Sequence, residues 1–277
     1  MGFIMTSSTN VFTIFLATGF PAFVADFTRY FIAASVVAMV VWVMKKTSLK
    51  SRKIQARNAT KNDVIREFLQ SVRSCIVYIG ITIAIVWGIN MGYLQRVGPS
   101  FGLGWNLALL AAMIAAHDSY FYWMHRAFHH PLLYKRFHLA HHRSVTPTPF
   151  AAYSFSVGEA AANGFFVLIW QIFIPTPGLV LLPFLLFQIT RNAMGHAGVE
   201  LMPRWWLSTP LTSWINTTTH HDLHHAGGFN VNYGLYFTFW DKLMGTEHPK
   251  YAETFARVTA PPAKSPEITI LASSPGL

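Results

Sequence analysis

The sequence has a single cysteine, Cys75, among 277 residues. One thiol excludes an internal disulfide framework, a zinc site built on thiolates and a cysteine-held iron–sulfur cluster. Cys75 lies in an apolar run, where cysteine behaves as a small core residue. Charge is scarce too. Asp, Glu, Lys and Arg make up 12% of the chain, about half the share of an ordinary soluble domain. Acidic residues are the scarcer sign, 11 against 21 Lys and Arg, so the formal net charge is +10. There is no H-E-x-x-H pattern, no flavin or dinucleotide fingerprint and no internal repeat, which argues against a zinc peptidase and against self-contained flavin redox. The N-terminus lacks the basic start and small-residue cleavage site of a secretory signal, so the first apolar run is expected to be retained.

What fills the chain instead is apolar: 52% hydrophobic residues, with 23 Phe and 9 Trp. That composition points to an all-α, polytopic membrane protein with about four spanning helices. Residues 11–25 contain Gly19 and Pro21 and read as an interfacial or re-entrant segment. The runs 28–44, 74–94 and 103–124 read as spans, and 161–195, broken by Pro175-Thr176-Pro177-Gly178, reads as a helical hairpin. Between the first two spans lies a basic stretch, 45–73, expected to be a solvated linker. Positive charge interleaved with apolar runs suits anionic lipid headgroups better than nucleic acid, and marks the cytoplasmic side. The loop 95–102 carries only Arg96 and agrees with that orientation. Met202–Trp214, with Trp205, Trp206 and Trp214, reads as lying in the membrane interface. The expected organisation is a membrane segment and basic linker (1–73), a catalytic domain (74–250) and a disordered tail (251–277), Pro- and Ser-rich from 260.

The chemistry is in the histidines. His125 and His129 are four apart, a spacing that stacks side chains on one face of a helix. His138, His141 and His142 form a three-four triplet, and His221, His224 and His225 repeat it. Imidazole suits zinc, copper, iron and nickel. Eight ligands are too many for one ion, so two are implied. His196, four after Asn192 and delivered to the same face by the hairpin, is the candidate ninth ligand. The boxes hold no glutamate; Glu159 and Glu200 are the nearby candidates. Asp118 and Tyr122 share the helix face of His125. Asp118 either orients a ligand imidazole or pairs with Arg126 or Arg136, and Tyr122 either lines a substrate tunnel or packs. His117 points away from His125; His130, before Pro131, suits the surface; His220 is ambiguous; His248 reads as a loop residue.

The run from His117 to His142, H-D-S-Y-F-Y-W-M-H-R-A-F-H-H-P-L-L-Y-K-R-F-H-L-A-H-H, resembles the fatty acid hydroxylase/sterol desaturase superfamily of membrane di-iron enzymes, in particular its sterol C-5 desaturase branch and bacterial relatives. The last box, T-H-H-D-L-H-H-A-G-G-F-N-V-N-Y-G-L-Y-F-T-F-W-D-K-L-M-G-T, is equally similar, and the likeness covers about residues 70–247. The resemblance implies that His125, His129, His138, His141, His142, His221, His224 and His225 hold two ferrous ions, and His196 matches an isolated histidine of related enzymes. It implies hydroxylation or desaturation of a lipid C–H bond, sterol or fatty acyl, with O2 as cosubstrate. Electrons would come from an external ferredoxin- or cytochrome-type donor. The metal site would form a histidine-rich helical cap on the cytoplasmic side. One departure stands at Ser156-Val157-Gly158, where many relatives carry His-Pro shortly before the glutamate that matches Glu159. Two rival readings keep the histidines but not the oxidation: a histidine-rich membrane metal transporter or metal-binding protein, and a membrane cytochrome with paired axial histidines.

Overall fold

A computed structural model describes residues 11–95, 102–227 and 229–261. Among the described residues regular structure is helical, and extended pairing is limited to two isolated bridges, Lys53 with Val199 and Ile215 with Phe237. Arg96 and its loop, and the Pro- and Ser-rich end beyond residue 261, lie outside the described residues.

The chain enters through a short helix α1 (Val11–Ile14), a π-helical turn (Phe15–Gly19) and helix α2 (Phe20–Lys45). Phe15 to Lys45 is thus one helix, long and apolar enough to cross a membrane, and not the re-entrant segment expected at 11–25. The widened turn explains why Pro21 does not break it. The Phe20 amide bonds back to the Phe15 carbonyl, and Pro21 then falls in the first turn of α2, where a missing amide is tolerated. Helix α2 buries Tyr30, Ala34, Val37, Val41 and Met44 at three-four spacing and exposes Ile32, Val36 and Met39 on the other side. An apolar face turned outward is what lipid contact requires.

The basic stretch 45–73 is more structured than a solvated linker. A 3-10 turn (Ser48–Arg52) leads into helix α3 (Lys61–Asn90), which starts thirteen residues before the apolar run at 74. A capping box sets that start: Thr60 Oγ1 accepts from Asp63 N, and Asp63 Oδ2 accepts from Thr60 N. Helix α4 (Leu103–Phe128) covers the third run, but its second half carries buried His117, Asp118 and His125. The helices apolar enough to span are therefore Phe15–Lys45, Lys61–Asn90 and Gly178–Gly195, with the shorter apolar helix Val157–Phe173 beside them.

Short helices α5 (Pro131–Phe137) and α6 (Leu139–His142) follow, then a 3-10 turn (Pro149–Tyr153) packed among α2, α3 and the later α8. The expected hairpin is present as α7 (Val157–Phe173) and α8 (Gly178–Gly195). Met202–Trp214 holds no spanning helix and exposes Trp205, Leu211 and Trp214. Beyond it come α9 (Thr218–His225), α10 (Phe239–Met244) and α11 (Tyr251–Thr259). Helix α11 corrects the expectation of disorder from residue 251. It buries Tyr251, Phe255 and Val258, spaced four and three apart, and the first two pack with Met202, Trp206 and Leu223. Its charged outer face hides that stripe from a reading by composition.

The core also accounts for Gly158. A Cβ there would lie 2.6 Å from Phe137 Cε1, closer than any real contact. This glycine lets α7 approach the end of α5. Gly158→Ala is expected to lower stability by about 1–3 kcal/mol through overpacking, measured as the thermal midpoint of the purified protein.

Candidate metal centre

Every histidine proposed as a ligand sits at or near a helix end. His125 closes the last turn of α4 and His129 is its C-cap; His138 joins α5 to α6; His141 and His142 end α6. His196 is the C-cap of α8, and His221, His224 and His225 line α9. Two caps fix the approach: Thr217 Oγ1 accepts from His220 N at the start of α9, and His130 Nδ1 accepts from Leu132 N at the start of α5.

The nine rings form two groups, within each of which the ligand atoms lie within 4.8 Å of one another. One holds His125, His129, His138, His142 and His224; the other holds His141, His196, His221 and His225. Each triplet is therefore divided. In the first, His138 and His142 turn to one group and His141 to the other; in the last, His221 and His225 turn together and His224 apart. Residues i and i+4 share a direction, while i+3 is offset by about 60° in an α-helix. The spacing that marked one face thus serves two neighbouring sites.

Ring orientation indicates what the groups are built for. Nδ1 of His125 donates to Tyr233 O at 2.8 Å, that of His141 to Ser154 O at 3.3 Å and that of His196 to Asn192 O at 2.7 Å. His224 donates to Val231 O at 2.7 Å, His225 to Ser144 O at 3.0 Å and His138 to Glu159 Oε1 at 2.7 Å. A proton held on Nδ1 leaves Nε2 a bare lone pair. The Nε2 atoms then face one another, at 2.9 Å for His125 and His138 and 3.3 Å for His141 and His196. Lone pairs brought together in a buried site repel unless a cation lies between them, and an imidazole whose second nitrogen donates to a carbonyl or carboxylate is oriented for metal. The donor set fits two ions of the imidazole-preferring kind.

Burial keeps these rings neutral. Desolvation first, then neighbouring imidazoles, hold His138, His142, His221, His224 and His225 well below the ordinary value of 6.5. Burial likewise brings His129 to about 2 and His196 to about 4.

Asp118 and Tyr122, which share the helix face of His125, each meet a partner of their own. Asp118 reaches no ligand ring and neither Arg126 nor Arg136: its Oδ1 accepts from the backbone amides of Tyr236 at 2.7 Å and Phe237 at 3.3 Å. An acceptor aimed at two amides ties α4 to the loop that follows α9. The Tyr122 hydroxyl meets Thr246 Oγ1 at 2.9 Å and its ring stacks on Trp240. His117 bonds through Nδ1 to the Tyr236 hydroxyl. His220 is fully buried against Tyr251, 3.6 Å from Asp241, outside both groups. His130 is exposed, and His248 Nδ1 accepts from Lys250 N in its loop.

What sequence reasoning missed is the supporting role of residues around the ligands, Glu159 and Glu200 among them. Ser156-Val157-Gly158-Glu159 has the form of a capping box, and Ser156 Oγ does accept from Glu159 N at 3.1 Å. The Glu159 carboxylate, however, turns to His138 instead of returning to the cap. Ser156 Oγ also donates to Phe137 O at 2.6 Å, and Gly158 lets the two segments touch. The departure from the family pattern is thus the clamp that sets Glu159 against its histidine. Asp241 accepts from Tyr233 N and Gly234 N, fixing the loop whose carbonyl orients His125. Glu200 accepts from Met202 N and Thr219 N, holding the start of α9. The basic stretch contributes as well: Arg52 donates to Met202 O at 2.7 Å, and Gln55 to Val145 O and Asp222 Oδ1.

Beside the centre, between α2, α3, α7 and α8, opens a cavity of about 380 Å³ with mainly aliphatic walls. Tyr153 lines it, and the next residues hold the centre: Ser154 O takes the His141 proton, and the Phe155 ring lies 5.2 Å from the His141 ring.

A helical membrane bundle that ends in nine converging imidazoles has the donor set of a dinuclear, histidine-held metal centre. The sequence profile of the fatty acid hydroxylase family matches residues 110–246. A Delta(7)-sterol 5(6)-desaturase of Aspergillus fumigatus, erg3A, is 28% identical over 253 residues, 90% of this chain and 67% of its own length. The lathosterol oxidase of Mus musculus is 31% identical over 199 residues, 70% of this chain and 64% of its own. A very-long-chain aldehyde decarbonylase of Oryza sativa subsp. japonica, GL1-7, is 32% identical over 163 residues, 54% of this chain and 25% of its own. This chain belongs to the fatty acid hydroxylase/sterol desaturase superfamily. It spans about two thirds of the length of the fungal and mouse relatives and a quarter of the plant one. No solved structure matches it.

Glu159→Ala is expected to weaken metal binding by about 10–100-fold, with Glu159→Gln between that and wild type because an acceptor remains, read by competition with a chelator. A second outcome concerns pH. The folded rings titrate below 6.5, so stability is complete above that value and is lost as pH falls towards the folded values, where only the unfolded chain takes up protons. Metal-stripped protein should therefore lose thermal stability as pH drops from about 7.5 to about 5.5, by up to about 1.4 kcal/mol per unit for each ring.

Proposed function

We propose that this chain is a membrane-embedded di-iron oxidoreductase that uses O2 and external electrons to hydroxylate or desaturate a lipid C–H bond. The observation that carries the reading is the convergence of nine neutral imidazoles, in groups of five and four, with six Nδ1 protons given to protein acceptors. When bound, a pair of ferrous ions supplies the reduction of O2 and the removal of hydrogen from an unactivated carbon.

The protein's part is placement and exclusion of water. Carbonyl groups of Ser144, Ser154, Asn192, Val231 and Tyr233 and the Glu159 carboxylate keep the ligand rings in one tautomer. Tyr153 and Phe155 separate the rings from the cavity, where a lipid entering between helices would present its carbon. The named activities of the relatives, sterol desaturation, lathosterol oxidation and aldehyde decarbonylation, support a lipid substrate of sterol or fatty acyl type.

The basic connection between α2 and α3, with Lys45, Lys46, Lys50, Arg52 and Lys53, supports a cytoplasmic position for the centre. Exposed cations there suit an acidic ferredoxin- or cytochrome-type donor. A metal transporter would string its ligands along a path through the bundle; here they gather at helix ends beside the cavity. A haem would take two axial ligands, not groups of five and four.

Purified protein is expected to hold about two irons per chain and show no haem absorbance. His125→Ala, His141→Ala and His225→Ala should each abolish turnover. The lipids of cells with and without the gene, compared by mass spectrometry, should differ by a gained oxygen atom or by a lost pair of hydrogens. Full turnover in all three variants would refute the shared centre.

A further inference from the structure

Helix α2 carries an ion pair where a spanning helix normally has none. Asp26 and Arg29, three residues apart, are paired with each other, and both line the cavity described above. Ionisable groups in such a helix are rare and mark binding sites or pathways. They are mostly enclosed, their side chains 14% and 16% exposed. Among the described residues each is the other's only hydrogen-bond partner. The amides on these walls are each tied to the bundle at one end: Asn163 donates to Glu159 O, Gln171 accepts from Thr176 N, and Gln188 accepts from the Tyr153 hydroxyl. Among the lining residues the pair supplies the charged donor and the anionic acceptor.

Chain direction gives the cavity a near and a far end. Helix α7 starts at the Glu159 support and α8 ends at His196, so Asn163 and Gln188 are nearer the centre than Gln171 and Leu181. On α2, Tyr30 stacks on Tyr153, and on α3 Tyr78 meets the same ring, so Arg29 and Tyr78 belong to the near end. From Tyr78 to Ile89 the α3 wall extends about 16 Å at 1.5 Å per residue. The far half is lined by residues such as Ala22, Ile85, Val86 and Ile89.

We infer, resting on the lipid-oxidase reading, that Asp26 and Arg29 form a specificity site for the hydroxyl group of an uncharged lipid. A hydroxyl both donates and accepts, and the pair presents one partner for each role: Arg29 donates to the hydroxyl oxygen, and Asp26 accepts its O–H. A carboxylate has no proton to give, and Asp26 would repel it at short range in a poorly screened cavity. The pair as a unit is neutral, so it favours a neutral guest. The guest lies with its hydroxyl at the near end and its hydrocarbon in the aliphatic half, so that carbons on the hydroxyl-bearing part face Tyr153 and the centre beyond it. These residues precede the stretch, 110–246, that the family profile covers.

The test uses the full-length, metal-loaded protein in phosphatidylcholine nanodiscs and reads ligand-induced thermal shifts. Two matched probe series separate skeleton from polar group: octadecan-1-ol with its methyl ether and octadecanoate, and cholestanol with its methyl ether and hemisuccinate. In at least one series the alcohol should bind wild type about tenfold or more tighter than the ether or the anion. Arg29→Met should weaken alcohol and ether by a similar factor, and Asp26→Leu should bring the two together, because only the carboxylate accepts the alcohol O–H. Asp26→Asn, which leaves an unopposed guanidinium, should reverse the order in favour of the anion. Equal binding of alcohol and ether by wild type, anion binding as tight as the alcohol, or no saturable binding of either alcohol would each overturn the assignment, and none of these depends on a variant folding. Iron content separates the two levels: wild type that binds alcohol selectively but loads no iron refutes the oxidase reading and leaves the specificity site standing.

Discussion

The constraint on which the rest of the structure depends is electrostatic. Nine imidazoles, all but the half-buried His129 enclosed, are held with bare ring nitrogens facing one another. Such an arrangement is unfavourable in an empty site and favourable around cations, so the fold must hold it open against its own repulsion. That requirement explains why so many Nδ1 acceptors are backbone carbonyls. A carbonyl fixed by a helix end or tight turn cannot swing away as a side chain can. The carboxylates do the next layer of work, Asp118 and Asp241 on the loop that follows α9 and Glu200 on the start of α9 itself.

Much of this was legible in the sequence. Helical spacing placed His125 and His129, both triplets and His196, because a period of three to four residues is a direct image of helix geometry. The hairpin α7–α8 was legible from Pro175 and Pro177 between apolar runs. Elsewhere the sequence misled for identifiable reasons. Asp118 lies on the correct helix face, but its partners, the amides of Tyr236 and Phe237, are 118 and 119 residues away and carry no side-chain signature. Glu159 stood out as a carboxylate near the boxes, but its contact with His138, 21 residues away, follows no helical spacing that would reveal it. The helix α11 stripe was masked by the charges around it, and the continuity of Phe15–Lys45 by a proline that a π-helical turn absorbs.

The basic stretch before α3 shows how composition and packing diverge. Its many Lys and Arg suggested solvent, and several are exposed, yet Arg52, Gln55 and Arg66 reach carbonyls of the loops that flank the ligand helices. Glu67, on the same helix, is fully buried and accepts from Thr148 N and Oγ1. A segment that touches no ligand ring thereby limits how far the ligand-bearing loops can move.

The division of each histidine triplet between two groups has a consequence for how the protein is made. Neither group can be completed from one part of the chain: the first needs α4, α6 and His224, and the second needs His141, His196 and two residues of α9. A nascent chain that stops before α9 would hold four of the five rings of one group and two of the four of the other. Both sites become complete at the same late moment, when α9 docks. On the proposed metal-centre reading, ion capture would report that synthesis and folding have reached α9, since no shorter chain presents either full ligand group.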